Sequence, residues 1–236
     1  MNVLIINGSG SIGSELVKMG NSLDYNIFYT SNRVEDGNNH NCINWYYSGS
    51  KSVSNLFEKL KDKCSQIDAV ANCLGSIFIK PAHLTSEEDL DETLDINLKS
   101  SFFILKETIP LMRKNGGNIL FFSSAAAKIG LANHEAIAAA KSGLEGLVKS
   151  AAATYAKNNI RINAVGLGLV ESNLSKSMIS SPISLEMSKK MHSLGRIGTP
   201  KSVVRVASQI LYDNESWITG STISIDGGLS TTKLAS

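Results

Sequence analysis

The segment Asn7-Gly8-Ser9-Gly10-Ser11-Ile12-Gly13 carries three glycines at the G-x-G-x-x-G spacing, directly after an apolar run and at the start of a stretch with helical periodicity. As a bare string this pattern is weak; the strand–turn–helix setting gives it force. Gly8 permits the tight turn, Gly10 lets a pyrophosphate approach the backbone, and Gly13 lets helix and strand pack closely. Ser9, Ser11 and Ile12 belong to the same candidate phosphate cradle, where a helix N-terminus offers free N–H groups and a positive dipole. The second strand ends near Thr30-Ser31-Asn32-Arg33. A chain built for NAD(H) usually carries an acid there to hold both ribose hydroxyls. Here Ser31, Asn32 and Arg33 suit a 2′-phosphate instead, which favours NADP(H) over NAD(H), although Asp36 lies close by.

Such a cradle needs a sheet behind it. Short apolar runs at Val3–Asn7, Asn26–Thr30, Ile43–Tyr47, Ala69–Cys73, Asn118–Ser123, Arg161–Val165 and Thr222–Ile225 read as strands. Helical spacing separates them at Ile12–Met19, Val53–Lys61, Asp89–Arg113, Glu135–Ala156 and Val203–Leu211. Unalternating apolar strands suit a sheet buried on both faces, and right-handed crossovers then give an α/β doubly wound parallel sheet of about seven strands, a single-domain Rossmann fold over residues 1–236. The chain's 236 residues, 42% hydrophobic and 19% charged, fit one globular unit with a sizeable core. The one irregular stretch, 171–195, has loosely helical apolar spacing (Leu174, Met178, Ile179, Ile183, Met187, Met191) and reads as a substrate lid.

A formal charge of +2, with scattered Lys and Arg, argues against nucleic acid or an acidic membrane as partner. Cys42, Cys64 and Cys73 are odd in number and lack metal-like spacing, so no metal site is expected and a reduced, cytoplasmic setting is. The start of the chain does not read as a signal peptide, and no apolar run approaches membrane-spanning length.

Several further segments together resemble the short-chain dehydrogenase/reductase family, and especially the 3-oxoacyl-carrier-protein reductases. They are Ala71-Asn72-Cys73-Leu74-Gly75, Asp95-Ile96-Asn97-Leu98, the strand from Gly117 ending in Ser123-Ser124, Ile160–Val165 followed by Gly168, Gly195–Pro200, and Ile218-Thr219-Gly220 through Asp226-Gly227-Gly228. The resemblance implies an oxidoreductase in which Ser124 polarises a substrate carbonyl, Lys141 holds the nicotinamide ribose and Asn97 keeps a water beside the lysine. It also implies cofactor contacts from Asn72, Gly75, Lys141, Gly168 and Val170.

The match fails at one reactive position. The family's acid is the tyrosine of Tyr-x-x-x-Lys, and here that position holds Ile137. Two smaller departures are Leu167-Gly168 in place of Pro-Gly and a phosphate loop one residue short. Ile137 and Lys141 share a helix face. His134, seven residues before Lys141, is a candidate replacement, because enoyl-acyl-carrier-protein reductases of the superfamily place their tyrosine at that spacing and histidine exchanges protons near neutral pH. Dienoyl-CoA reductases of the superfamily also lack the tyrosine, which points toward an activated C=C bond as well as a carbonyl. The substrate expected is small and apolar or acyl-linked. The alternative is a catalytically silent relative that binds a dinucleotide as sensor or assembly partner. Small-residue faces (Ala138, Ala139, Gly143, Gly146, Ala151, Ala152) raise the expectation of a homodimer or homotetramer.

Overall fold

The computed structural model describes residues 1–32 and 40–233. Seven parallel strands form one sheet in the order β3-β2-β1-β4-β5-β6-β7. They are β1 Asn2–Ile6, β2 Asn26–Ser31, β3 Cys42–Asn44, β4 Ala69–Asn72, β5 Gly117–Ser124, β6 Ile160–Leu167 and β7 Thr222–Ile225. The helices are α1 Ser11–Ser22, α2 Ser50–Lys61, α3 Glu87–Leu94, α4 Ser100–Met112, α5 Glu135–Tyr155, α6 Pro182–Met191 and α7 Pro200–Tyr212. This is the doubly wound Rossmann architecture, and its strand order reverses between β1 and β4.

Alternation along each strand builds two cores. Leu4, Ile6, Val70, Ile119, Phe121 and Ile162 face the layer made by α2, α4 and α5. Val3, Ile5, Ala69, Ala71, Leu120 and Val165 face α1 and α7. With both faces covered, successive strand residues are apolar, which is why the strands read as continuous runs rather than alternating ones.

The region expected as one helix over Asp89–Arg113 is three pieces. Between α3 and α4 lies a wider π turn, Asp95–Lys99, in which the Ser100 N–H reaches back five residues to Asp95 O. Tyr47 OH donates to Asp95 O at 3.3 Å, so the same carbonyl is held from two sides. The strand expected over Ile43–Tyr47 is shorter, because pairing with β2 ends at Asn44. The small residues of α5 divide: Ala151 and Ala152 are buried in the protein's own core and Gly143 backs onto Leu98, whereas Ala139 and Gly146 are exposed. No helix among the described residues is long and apolar enough to cross a membrane.

Asn118 ties the far end of the sheet together. It is 2% exposed, donates to Leu211 O at 3.1 Å and Asp213 O at 3.2 Å, and accepts from Arg161 Nε at 2.8 Å. Asn118→Ala leaves buried carbonyls without a donor and is expected to lower unfolding free energy by about 1–3 kcal/mol, measured by urea denaturation.

Candidate active site

Three cavities run along the carboxyl ends of the strands at the β1/β4 reversal, where ligands of doubly wound sheets bind. The first, of about 320 Å³, is walled by Asn7, Thr30, Asn32, Trp45, Tyr46 and Tyr47 among others. The second, of about 400 Å³, lies over the glycine loop from Ser9 to Gly13 and includes Val170. The third, of about 270 Å³, is mostly apolar and contains Ser124, His134, Ile137 and Lys141. Leu74 lines all three, so they adjoin one another.

The middle cavity fits an anionic pyrophosphate. Helix α1 starts at Gly10 without any side-chain cap, and its first internal bond is Ser14 N–H to Gly10 O. The N–H groups of Ser11, Ile12 and Gly13 are therefore the orphan donors of a first helical turn. Glycine is required around them: a Cβ on Gly13 would collide with Asn7 O, and one on Gly8 would lie 2.5 Å from Tyr29 Cβ. Asn7 takes the left-handed conformation (φ 58°), and its Nδ2 donates to Cys73 O at 3.1 Å, tying the loop to the end of β4.

At the ribose side, Thr30 and Asn32 line the cavity, and Ser31 between them is, like Thr30, 1% exposed. Asn72 is 2% exposed with both side-chain groups committed, Nδ2 to Ser101 Oγ at 3.1 Å and Oδ1 to Leu74 N at 3.1 Å. These two bonds hold the turn after β4. Arg33 and Asp36 lie outside the described residues.

Lys141 is the most unusual side chain of the third cavity. It is 7% exposed, and its Nζ donates to Phe122 O at 2.8 Å. Burial disfavours the ammonium and pulls its pKa down to about 8. Gly75 sits between Lys141 and Asn97: a Cβ there would lie 3.4 Å from Asn97 Oδ1 and 3.8 Å from Lys141 Nζ. Asn97 occupies the π turn, donating to Thr93 O at 3.0 Å and Ser76 Oγ at 2.9 Å, while its Oδ1 accepts from Ser76 N. π turns inside helices often mark functional sites, because the extra residue turns a side chain out of the regular helix path.

His134, Ile137 and Lys141 line the cavity together from one face of α5. Ile137 is 5% exposed and presents an alkyl group to the cavity. His134 stands at the N-cap of α5, with Nδ1 2.7 Å from Ala132 O. A carbonyl only accepts, so Nδ1 carries the hydrogen and Nε2 is the nitrogen left for chemistry. Ser124, at the end of β5, accepts from Ala126 N at 3.2 Å and keeps its own hydroxyl hydrogen for donation.

The 171–195 segment supplies the remaining wall through Leu174, Met178, Met191 and His192, where a lid was expected. Gly168 and Leu169 adjoin it. Sequence reasoning missed His192 and Ser76. The helical spacing Leu174, Met178, Met191 already pointed one face of the segment inward, and His192 directly follows it.

The comparisons agree with this architecture. A family model described as Enoyl-(Acyl carrier protein) reductase matches residues 36–230. The 3-oxoacyl-[acyl-carrier-protein] reductase FabG of Chlamydia pneumoniae is 33% identical over 183 residues, covering 77% of this chain and 73% of that protein. The uncharacterized oxidoreductase YxbG of Bacillus subtilis is 31% identical over 194 residues, covering 77% and 69%. Among solved structures, 4-hydroxyisoleucine dehydrogenase complexed with NADH superposes with TM-score 0.90 at 25% identity, covering 98% of this chain and 99% of that one. ElxO with NADP bound superposes with TM-score 0.89 at 24% identity over 98% and 99%, a likeness of fold.

Burial of Lys141 has a measurable signature. The unfolded chain keeps the lysine proton up to the ordinary value of 10.5, whereas the folded protein releases it near 8. Between those values the unfolded state binds more protons, so this group's contribution to stability rises with pH, by about 3 kcal/mol in all. Chemical denaturation at pH 7.5 and pH 10.5 should show this rise in the wild type relative to Lys141→Met, and an identical pH response in both proteins would contradict it.

Proposed function

The chain belongs to the short-chain dehydrogenase/reductase family, and we propose that it acts there as an NADP(H)-dependent oxidoreductase, reducing a carbonyl or activated C=C bond of a small apolar or acyl-linked substrate. One observation carries this reading: Ser124, His134 and Lys141 line a single apolar cavity that joins the phosphate cradle, although Ile137 has replaced the family's acid. Relatives named as reductases and structural neighbours titled with NADP or NADH support the cofactor class. NADP(H) is favoured because the described end of β2 (Thr30-Ser31-Asn32) carries no carboxylate to hold a free ribose diol.

When bound, the nicotinamide supplies hydride to the substrate carbon. The residues of the chain do the rest. Ser124 Oγ donates a hydrogen bond to the substrate oxygen and draws negative charge onto it. A carbonyl needs one proton at that oxygen, and the His134 imidazolium gives it from Nε2, leaving the neutral Nδ1–H ring already held by Ala132 O. Lys141, with Phe122 O taking one of its hydrogens, offers the others toward ribose hydroxyls and keeps positive charge beside the reacting centre. For a conjugated C=C bond, Ser124 polarises the carbonyl in the same way and the carbon takes its proton from water. The apolar wall of Ile77, Leu131, Ile137, Leu169 and Met178 excludes bulk water and strengthens each of these charge effects.

Ile137 itself favours a second reading, the silent dinucleotide binder, and variants separate the two. Against a panel of ketones, enones and acyl thioesters, the wild type is expected to oxidise NADPH. His134→Gln should reduce kcat for a carbonyl substrate by about 10²–10⁴-fold while leaving NADPH affinity unchanged. Ile137→Tyr should raise ketone reduction by restoring a phenol one turn from Lys141. A folded, NADPH-loaded wild type and Ile137→Tyr variant that both leave every substrate untouched would establish the silent binder. A His134→Gln enzyme of full kcat would remove histidine as donor and leave C=C reduction with water as proton source. Fluorescence titration should give tighter binding of NADPH than of NADH, and the reverse order would overturn the cofactor preference.

A further inference from the structure

His192 follows the last residue of α6 and is 3% exposed. Its Nδ1 lies 2.7 Å from Ser188 O, and its Nε2 lies 3.1 Å from the backbone N of Leu169. The carbonyl can only accept and the amide can only donate. Both bonds therefore form only with the neutral ring that carries hydrogen on Nδ1 and a bare lone pair on Nε2. The surrounding backbone makes room for this ring: a Cβ on Gly168 would lie 2.6 Å from His192 Nε2, and one on Gly227 would lie 3.5 Å from His192 Cβ. The imidazole also separates the apolar cavity from a polar cleft of about 360 Å³ lined by Arg196, Ser202 and Asp226.

The segment that His192 ends has little else to fix its wall-forming face. Helix α6 buries no residue, and Ile183, Met187 and Met191 are 76%, 65% and 49% exposed. The segment is anchored near its start by Glu171 N–H to Gly198 O and by the buried Ser175 Oγ, which donates to Val170 O. Near its end it is anchored by Leu194 N–H to Gly227 O and by the ring of His192. Among the described residues, the ring is the group whose hydrogen bond bridges the end of α6 to the Gly168–Leu169 backbone that lines the same cavity.

We propose that His192 is a positioning residue: its neutral ring clasps the 171–195 segment onto Leu169 and so sets the substrate-facing wall of the cavity, and protonation opens the clasp. The wall's service to a substrate rests on the function proposed above; the clasp itself does not. Adding a proton at Nε2 sets two N–H donors against each other, so the clasp holds with the neutral ring and is lost on its protonation, which makes it weaker in acid than in alkali. The charged groups around the ring are already engaged or cationic. Asp226 accepts from Gly228 N, Ser230 N and Ser230 Oγ. Glu186, on the same helix, pairs with Lys189, and Lys190 is a cation. Arg196 faces the polar cleft, and His134 and Lys141 stand in the apolar cavity.

Hydrogen exchange on the full chain, without cofactor or substrate, tests the clasp by following the Leu169 amide and the amides of α6. After correction for intrinsic exchange, protection at Leu169 in the wild type should fall by about tenfold from pH 8 to pH 5.5, the worth of one hydrogen bond. His192→Phe should be unprotected there at both pH values. His192→Gln, whose Oε1 can accept from Leu169 N–H and does not titrate, should restore protection and remove its pH dependence. A wild-type Leu169 protection that ignores pH, or a His192→Phe protein protected like the wild type, overturns the proposal. Because no turnover enters the readout, a silent protein with a pH-dependent clasp would refute the proposed function and leave the clasp standing.

Discussion

A lysine ammonium enclosed by apolar side chains is expensive, and the functional end of this fold is arranged around one. Lys141 could lie in water on the outer face of α5. Instead it points under the end of β5, where a single carbonyl, Phe122 O, accepts from it. An ammonium has three hydrogens, and Phe122 O takes one of them; in the proposed function the others serve the ribose hydroxyls. The neighbouring features then have a common explanation. Gly75 lacks a side chain where one would stand beside Nζ, and the π turn holds Asn97 across from it. The crevice toward the phosphate cradle stays open on the same side.

The proposed proton donor shares a helix face with that lysine. A helix returns to the same face every three or four residues. His134 precedes Ile137 by three and Lys141 by seven, and the structure brings all three to one cavity. In the proposed reaction the proton source stands at the N-cap of α5. The phenol of the family needs a nearby lysine to lower its pKa; an imidazole does not. In the proposed function Lys141 then serves the ribose and the electrostatics of the site.

The parts legible in the sequence were those with a local physical signature. The glycine spacing after β1 announced a helix N-terminus that must be approached closely, and the collisions that side chains at Gly8 and Gly13 would suffer give the reason. Continuous apolar runs announced a sheet covered on both sides, and the two cores account for every alternate residue of β1. The π turn was not legible, because its residues have ordinary helical periodicity and the extra residue shows only in how Ser100 reaches back to Asp95. Burial of Ser31 and Asn72 was not legible either. A polar residue at a strand end looks the same in sequence whether it meets a ligand or another side chain, here Ser101 and the Leu74 amide for Asn72.

His192 belongs to the same class of hidden residue, and it shows what an irregular segment must supply. A segment that covers a cavity cannot be fastened by apolar burial alone, since the face it would bury is the face a ligand needs. Leu174, Met178 and Met191 line open space rather than a packed core. Fastening must then come from directional bonds at the margins, and the two made by the His192 ring hold only in one tautomer. An amide side chain could make equivalent bonds at every pH; a histidine makes them conditionally. The choice of an imidazole at this margin therefore couples the shape of the cavity to proton concentration, in a site whose proposed reaction also consumes a proton.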